Sequence, residues 1–172
     1  IPQEGITLGK KDAPVTLVEF ADLKCPFCRD FSVNSFPTIV DEYIKTGKVK
    51  MLFQVQTFVA EQITPGDSRN AATMAEASGM QNKLWNFTDL WYANQKEETE
   101  IAATDEWLRE IGGAIPGLDV EKAMTDRDSE TVDNRLHYVH QEGQQVFKYA
   151  VRKMYETCRD LLETAGVSAS DI

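Results

Sequence analysis

The chain has 172 residues and a formal net charge of −10, enough length for one domain with a real core. That acidic balance excludes unspecific nucleic-acid or anionic-membrane binding, because phosphates would be repelled. Composition is ordinary for a globular protein, and no apolar run reaches bilayer-spanning length.

The opening "IPQEGITLGK" lacks the basic and apolar regions of a signal peptide, although a mature exported chain would look the same. "VTLVEF" (Val15 to Phe20) is β-branched and apolar and predicts a buried strand. From Cys25 to Thr46 the pattern is helical, with a kink expected at Pro37 and a stop at Gly47. "VKMLFQVQTF" (Val49 to Phe58) predicts a second strand, so the order strand, helix, strand suggests an α/β crossover unit.

Pro65 and Gly66 mark a break, and helices follow. "SRNAATMAEASGM" (Ser68 to Met80) is alanine-rich, with Ser68 as its expected cap. "KLWNFTDLWYANQ" (Lys83 to Gln95) carries an aromatic cluster that reads first as helix core, with a contribution to a substrate groove as the alternative. "TDEWLREIGGAIPG" (Thr104 to Gly117) is a capped helix ended by Gly112 and Gly113, and "DVEKAMTDRD" (Asp119 to Asp128) is a short one. In "NRLHYVHQEG" the alternation of Leu136, Tyr138 and His140 with His137 and Val139 is strand-like. From Val146 to Ala165 the stripe Val146, Phe147, Ala150, Val151, Met154, Tyr155, Cys158, Leu161, Leu162 and Ala165 is strongly helical, with Gly166 as its end. The expected organisation is residues 1–60 as an α/β front, 61–128 as a helical insertion and 129–172 as an atypical strand–helix tail.

The chemistry centres on Cys25 and Cys28 in "CPFC", at a strand-to-helix junction. Unpaired N–H groups and the positive end of the macrodipole at a helix start favour thiolate over thiol. A thiolate attacks disulfides and is also a good leaving group. Cys28 lies one turn on, and Pro26 suits a first turn that needs no N–H. Cys25 is therefore the candidate nucleophile and Cys28 the resolving thiol. Two alternatives stay open: a structural disulfide, and a Cys2His2 zinc site with His137 and His140. Cys158, on the apolar stripe, reads as a small buried hydrophobe.

"LGKKDAPVTLVEFADLKCPFCRDF" resembles the start of the DsbA-like thiol–disulfide oxidoreductases, a thioredoxin-fold family. The resemblance runs from about Leu8 to Ser129, where "AIPGLDVEKAMTDRDS" is similar to the family's last insertion helix. It implies an α/β thioredoxin-like sheet with a helical insertion. The implied activity is a cofactor-free dithiol enzyme that exchanges disulfides with protein thiols and a redox partner protein. Its compartment would be extracytoplasmic, whether periplasmic, secreted or membrane-tethered. It makes Cys25 an exposed nucleophile, Pro26 and Phe27 the dipeptide that tunes the potential, and Glu19 a buried acid assisting proton transfer. By residue type alone, Glu19 is equally an ordinary strand-edge acid.

The family pattern then requires a turn with a cis-proline beside the nucleophile, a hairpin and a terminal helix. The prolines are Pro2, Pro14, Pro26, Pro37, Pro65 and Pro116, and none stands there. Closing strands are therefore expected to be atypical or missing, which takes one wall from the substrate groove. Instead, "ETVDNRLHYVHQEGQQVFKYAVRKMYETCRDLLETAGVSASDI" resembles an internal piece of β-ketoacyl-acyl carrier protein synthase III, with the join between Thr125 and Leu136. That piece lacks the synthase nucleophile and its histidine–asparagine pair, so no acyl transfer is implied. The chain reads as a composite. Its tail is expected to supply an edge strand at about Arg135 to His140 and a covering helix, or a second chain completes the core as a domain-swapped homo-oligomer.

Overall fold

The computed structural model describes residues 1–58 and 63–165. The chain divides into two compact units, Ile1–Val139 and His140–Ile172. The first holds a four-stranded sheet made of β1 (Gln3–Glu4), β2 (Thr7–Leu8), β3 (Val15–Asp22) and β4 (Val49–Gln56), in the order β1-β2-β4-β3. β3 and β4 are parallel and in register from Val15↔Val49 to Asp22↔Gln56, while β2 pairs antiparallel with β4.

The parallel pair needs a crossover, and the expected helix supplies it in four pieces. They are α1 (Pro26–Asp30), a π-helical turn Phe31–Ser35, α2 (Phe36–Ile39) and a second π turn Val40–Ile44. Pro37 sits at the start of α2 and has no N–H to continue the ladder, so the distortion expected of it is a widened turn just before. Gly47 ends the run at φ 78°, a conformation that disfavours a side chain.

β4 is the second strand its sequence predicts, and its second half is buried on both faces. Met51, Phe53 and Val55 are buried on one face, where Phe53 meets Trp85 edge-on and Trp85 stacks on Phe36. Trp85 belongs to α4 (Leu84–Ala93), whose Leu84, Phe87, Trp91 and Tyr92 are buried as well. The aromatic cluster is thus core, as its spacing indicates. The helices α3 (Asp67–Gly79), α5 (Asp105–Gly113) and α6 (Val120–Asp126) complete this unit. Thr104 and Asp119 cap the last two by accepting from Trp107 N and Lys122 N. The expected cap of α3 is corrected: Gly66 is its cap, and Ser68, inside the helix, hydrogen bonds to Asp22 instead.

Two further expectations are overturned. Arg135 to His140 is not a strand but part of α7 (Glu130–Ala165). Val132, Leu136 and Val139 are the buried positions, four and seven residues along one helical face, and they outweigh the two-residue alternation. This start of α7 lies against the other face of the sheet. Arg135 Nη2 donates to Gln54 Oε1 (2.7 Å), and Gln56 Nε2 donates to the Val139 carbonyl (2.7 Å). Nor is β3 buried throughout. Val15 is 52% and Val18 45% exposed, because β3 has a strand neighbour on one side only among the described residues. No strand follows β4 among the described residues, so the closing strands of the sheet are missing there.

In the second unit α7 continues, with Gln144 Nε2 and His140 Nε2 3.0 Å apart and Lys153 paired to Glu156 at 2.6 Å. Val146, placed on the apolar stripe by its spacing, is 48% exposed. The side chains of Phe147, Ala150, Val151, Met154, Tyr155, Cys158, Leu161, Leu162 and Ala165, and Gly166 itself, lie outside the described residues. Among the described residues no helix is long and apolar enough to cross a membrane.

Candidate active site

β3 ends at Asp22, and three residues later the chain enters α1 with Cys25 as its N-cap (φ −74°, ψ 120°) and Pro26 in the first turn. This is the junction the sequence indicated. Cys25 stands beside the N–H groups that have no partner within the helix, and its side chain makes no capping hydrogen bond to them. The Cys25 N–H donates to the Asp22 carbonyl at 3.0 Å, and its carbonyl accepts from Arg29 N at 3.1 Å, so the residue is anchored on both sides.

The two cysteines are free thiols, and their side chains hydrogen bond to each other. Their exposure departs from expectation. Cys25 is only 9% exposed and Cys28 is half-buried, whereas the intervening Phe27 is 81% exposed. The anchoring of the Cys25 backbone holds it inward, and Pro26 and Phe27 carry the turn outward.

Burial pushes the Cys28 thiol up to about 12; the Asp22 backbone hydrogen bond opposes this, and the hydrogen bond and charge of Cys25 and the charge of Glu19 add to it. Glu19, half-buried on β3 opposite Phe53, is raised from 4.5 to about 7 by burial. Tyr92 of α4 is buried and pushed well above its usual range, chiefly by desolvation, with Cys28 and Glu19 adding to the effect. The Glu19 charge thus adds a minor upward push on the Cys28 thiol, while burial alone raises Glu19 itself.

The Glu19 shift has a consequence for stability. Unfolded, the carboxyl titrates near 4.5; folded, near 7, so between these values the folded chain binds more protons. Its contribution is fully present below pH 4.5 and is lost as pH rises through about 7. Glu76 on α3, raised to about 7 mainly by burial against the opposing charge of Arg135, adds a slope of the same sign. Urea unfolding of the wild type is expected to show declining stability from pH 5 to pH 8, with a shallower decline in Glu19→Gln. An equal slope in both proteins would show that Glu19 ionises freely.

The residues around the site include several that sequence reasoning passed over. Asp22 is fully buried, its Oδ1 accepting from Lys24 N (2.9 Å) and from Ser68 Oγ, its Oδ2 from Phe58 N (2.8 Å). Lys24, the residue before Cys25, forms an ion pair with Asp67 at 2.9 Å, both side chains 1% exposed. Lys24 Nζ also donates to the carbonyls of Glu100 (2.5 Å) and Glu97 (3.3 Å). Asp67 accepts from Ala102 N (3.0 Å) and Ala103 N (2.7 Å). The only sequence signal was a lysine placed directly before the cysteine pair, after a strand.

The zinc alternative gains no geometric support. Among the described residues no group of three or more His, Cys, Asp or Glu side chains is placed to hold a metal ion. His137 and His140 are exposed positions on α7.

Comparison with known proteins agrees with this architecture. A family model described as thioredoxin matches residues 2–157. Probable disulfide bond formation protein D of Bacillus cereus is 38% identical over 133 residues, 76% of this chain and 59% of that protein. The chain thus spans about three-fifths of that relative's length. The crystal structure of oxidised BdbD from Bacillus subtilis superposes with a TM-score of 0.69 at 26% identity, covering 96% of this chain and 77% of that one. Beta-ketoacyl-[acyl-carrier-protein] synthase III of Solibacter usitatus is 70% identical over 84 residues, 42% of this chain and 25% of the synthase. With the sheet, the helical crossover and the cysteine pair at its start all in place, the chain belongs to the thioredoxin family, as a DsbA-like member part of whose length also matches beta-ketoacyl-acyl carrier protein synthase III.

Proposed function

We propose that the chain is a thiol–disulfide oxidoreductase that exchanges disulfides with protein thiols through Cys25 and Cys28. The observation that carries this reading is the unlike placement of the two sulfurs. Cys25 occupies the N-cap position at the start of α1, while Cys28, one turn on, is pushed up to about 12. A pair built this way is polarised: one sulfur is suited to attack and to leave, the other to stay protonated until it is needed.

In the oxidising direction, a substrate thiolate attacks the Cys25 sulfur of the Cys25–Cys28 disulfide. The bond to Cys28 breaks, and Cys28 leaves with the electron pair and takes a proton. A second substrate thiolate then attacks the mixed disulfide, forming the substrate disulfide and releasing Cys25 as thiolate. The reverse sequence reduces a substrate disulfide, and there Cys28 must lose a proton to resolve the intermediate. Glu19, which titrates near 7, is the proposed group for moving that proton.

Pro26 and Phe27 lie between the sulfurs and are proposed to tune the redox potential. The partners proposed are protein thiols or disulfides and a second redox protein. The compartment proposed is outside the cytoplasm, where disulfides persist. The similarity to a probable disulfide bond formation protein supports this reading. No bound cofactor enters the chemistry.

The test is reduction of a protein disulfide such as that of insulin. The resolving step is expected to accelerate as pH rises through about 7, where Glu19 ionises, and Glu19→Gln is expected to flatten that profile. A profile unchanged by Glu19→Gln would remove Glu19 from the mechanism.

A further inference from the structure

Three side chains at the end of α4 converge on the short segment that delivers Cys25. Trp91 Nε1 donates to the Leu23 carbonyl at 2.8 Å, and Tyr92 OH donates to the Asp22 carbonyl at 3.2 Å. Gln95, just beyond the helix, donates from Nε2 to the Leu23 carbonyl at 2.8 Å and to the Cys25 carbonyl at 3.3 Å. Trp91 and Tyr92 are each 1% exposed and fill the core, so their role in packing needs no other account. Gln95 is different. It is half-buried, lies outside the apolar cluster, and is the only one of the three to reach Cys25 itself.

A carbonyl oxygen is the negative end of a peptide dipole, and two of them flank the turn that leads into the helix start. One amide group with two hydrogens spans both oxygens, draws down their negative charge and fixes the peptide planes at Leu23 and Cys25. The field at the sulfur depends on how those planes are turned: the Leu23–Lys24 peptide has a favourable N–H end, the Cys25–Pro26 peptide has none because its nitrogen is proline's, and both oxygens are unfavourable.

We infer that Gln95 is a positioning residue for the Cys25 thiol, acting through the carbonyls of Leu23 and Cys25. It sets the reactivity of the sulfur without touching it. The inference deepens the proposed exchange reaction and rests on it, but it is read out on the thiol directly, so the two can fail separately.

The experiment measures the rate of Cys25 alkylation by iodoacetamide in the reduced chain, by mass spectrometry, together with the equilibrium of the Cys25–Cys28 pair against glutathione. Gln95→Leu keeps the size and removes the donor; Gln95→Glu keeps the shape and presents an acceptor to both carbonyls. Alkylation is expected to slow by roughly fivefold in Gln95→Leu, the ratio set by one hydrogen bond of ordinary net strength, and further in Gln95→Glu. The glutathione equilibrium is expected to shift in both, while thermal unfolding shows both variants folded at the assay temperature. Gln95→Asn, with the amide on a shorter arm, is expected to lie between wild type and Gln95→Leu. Rates and equilibria within about twofold of wild type in all three variants would overturn the inference. So would slowing that merely follows the fraction of unfolded chain. If the wild type failed to exchange disulfides while the alkylation series held, the proposed reaction would fall and the positioning role would stand.

Discussion

Cys25→Ser is expected to bring disulfide exchange down to the rate of the uncatalysed reaction, with Cys28→Ser leaving a chain that still forms mixed disulfides but releases them slowly. The asymmetry follows from position. A serine hydroxyl at the helix N-cap hydrogen bonds well but neither attacks a sulfur nor accepts a second sulfur bond. Loss of Cys28 removes only the group that resolves the intermediate, since Cys25 keeps its place on the first turn. Insulin reduction and intact mass after exposure to glutathione disulfide separate the two outcomes. Equal residual activity in Cys25→Ser and wild type would reject the enzyme reading altogether.

Lys24→Met is expected to destabilise the fold by about 3–5 kcal/mol in urea unfolding, and Asp67→Leu by a similar amount. Each leaves an uncompensated charge among groups that no water reaches, since both side chains are 1% exposed. Against the usual total of about 5–15 kcal/mol this is a large fraction. The double variant Lys24→Met/Asp67→Leu is expected to lose less than either single change, because the penalty arises from the orphaned partner rather than from the absence of the pair. Single variants within about 1 kcal/mol of wild type would show the pair to be solvated.

Much of this was legible in the residues themselves. The second strand, the capped helix that begins at Thr104, and the strand-to-helix junction at "CPFC" are local signals, and local physics decides them. The misreadings share another cause, which is tertiary context. "VTLVEF" has the composition of a central strand, yet Val15 and Val18 are exposed, and among the described residues β3 has a strand neighbour on one side only. "LHYVH" alternates over five residues, but Val132, Leu136 and Val139 set a longer helical period that a short window misses. Asp22, Lys24 and Asp67 gave almost no signal. A buried ion pair joins residues 43 positions apart, and only the fold reveals that each charge has a partner. Gln95 was invisible for the same reason, since its partners are backbone carbonyls of a segment more than 60 residues away.

The most direct test of the account is competition between the two thiols for limiting iodoacetamide. The reduced chain, in a Cys158→Ser background, is alkylated at pH 7 and mapped by peptide mass. The label is expected on Cys25, with Cys28 modified only in excess reagent, as its position near 12 requires. Label appearing first on Cys28, or equally on both, would contradict the claim that the helix N-terminus makes Cys25 the reactive sulfur.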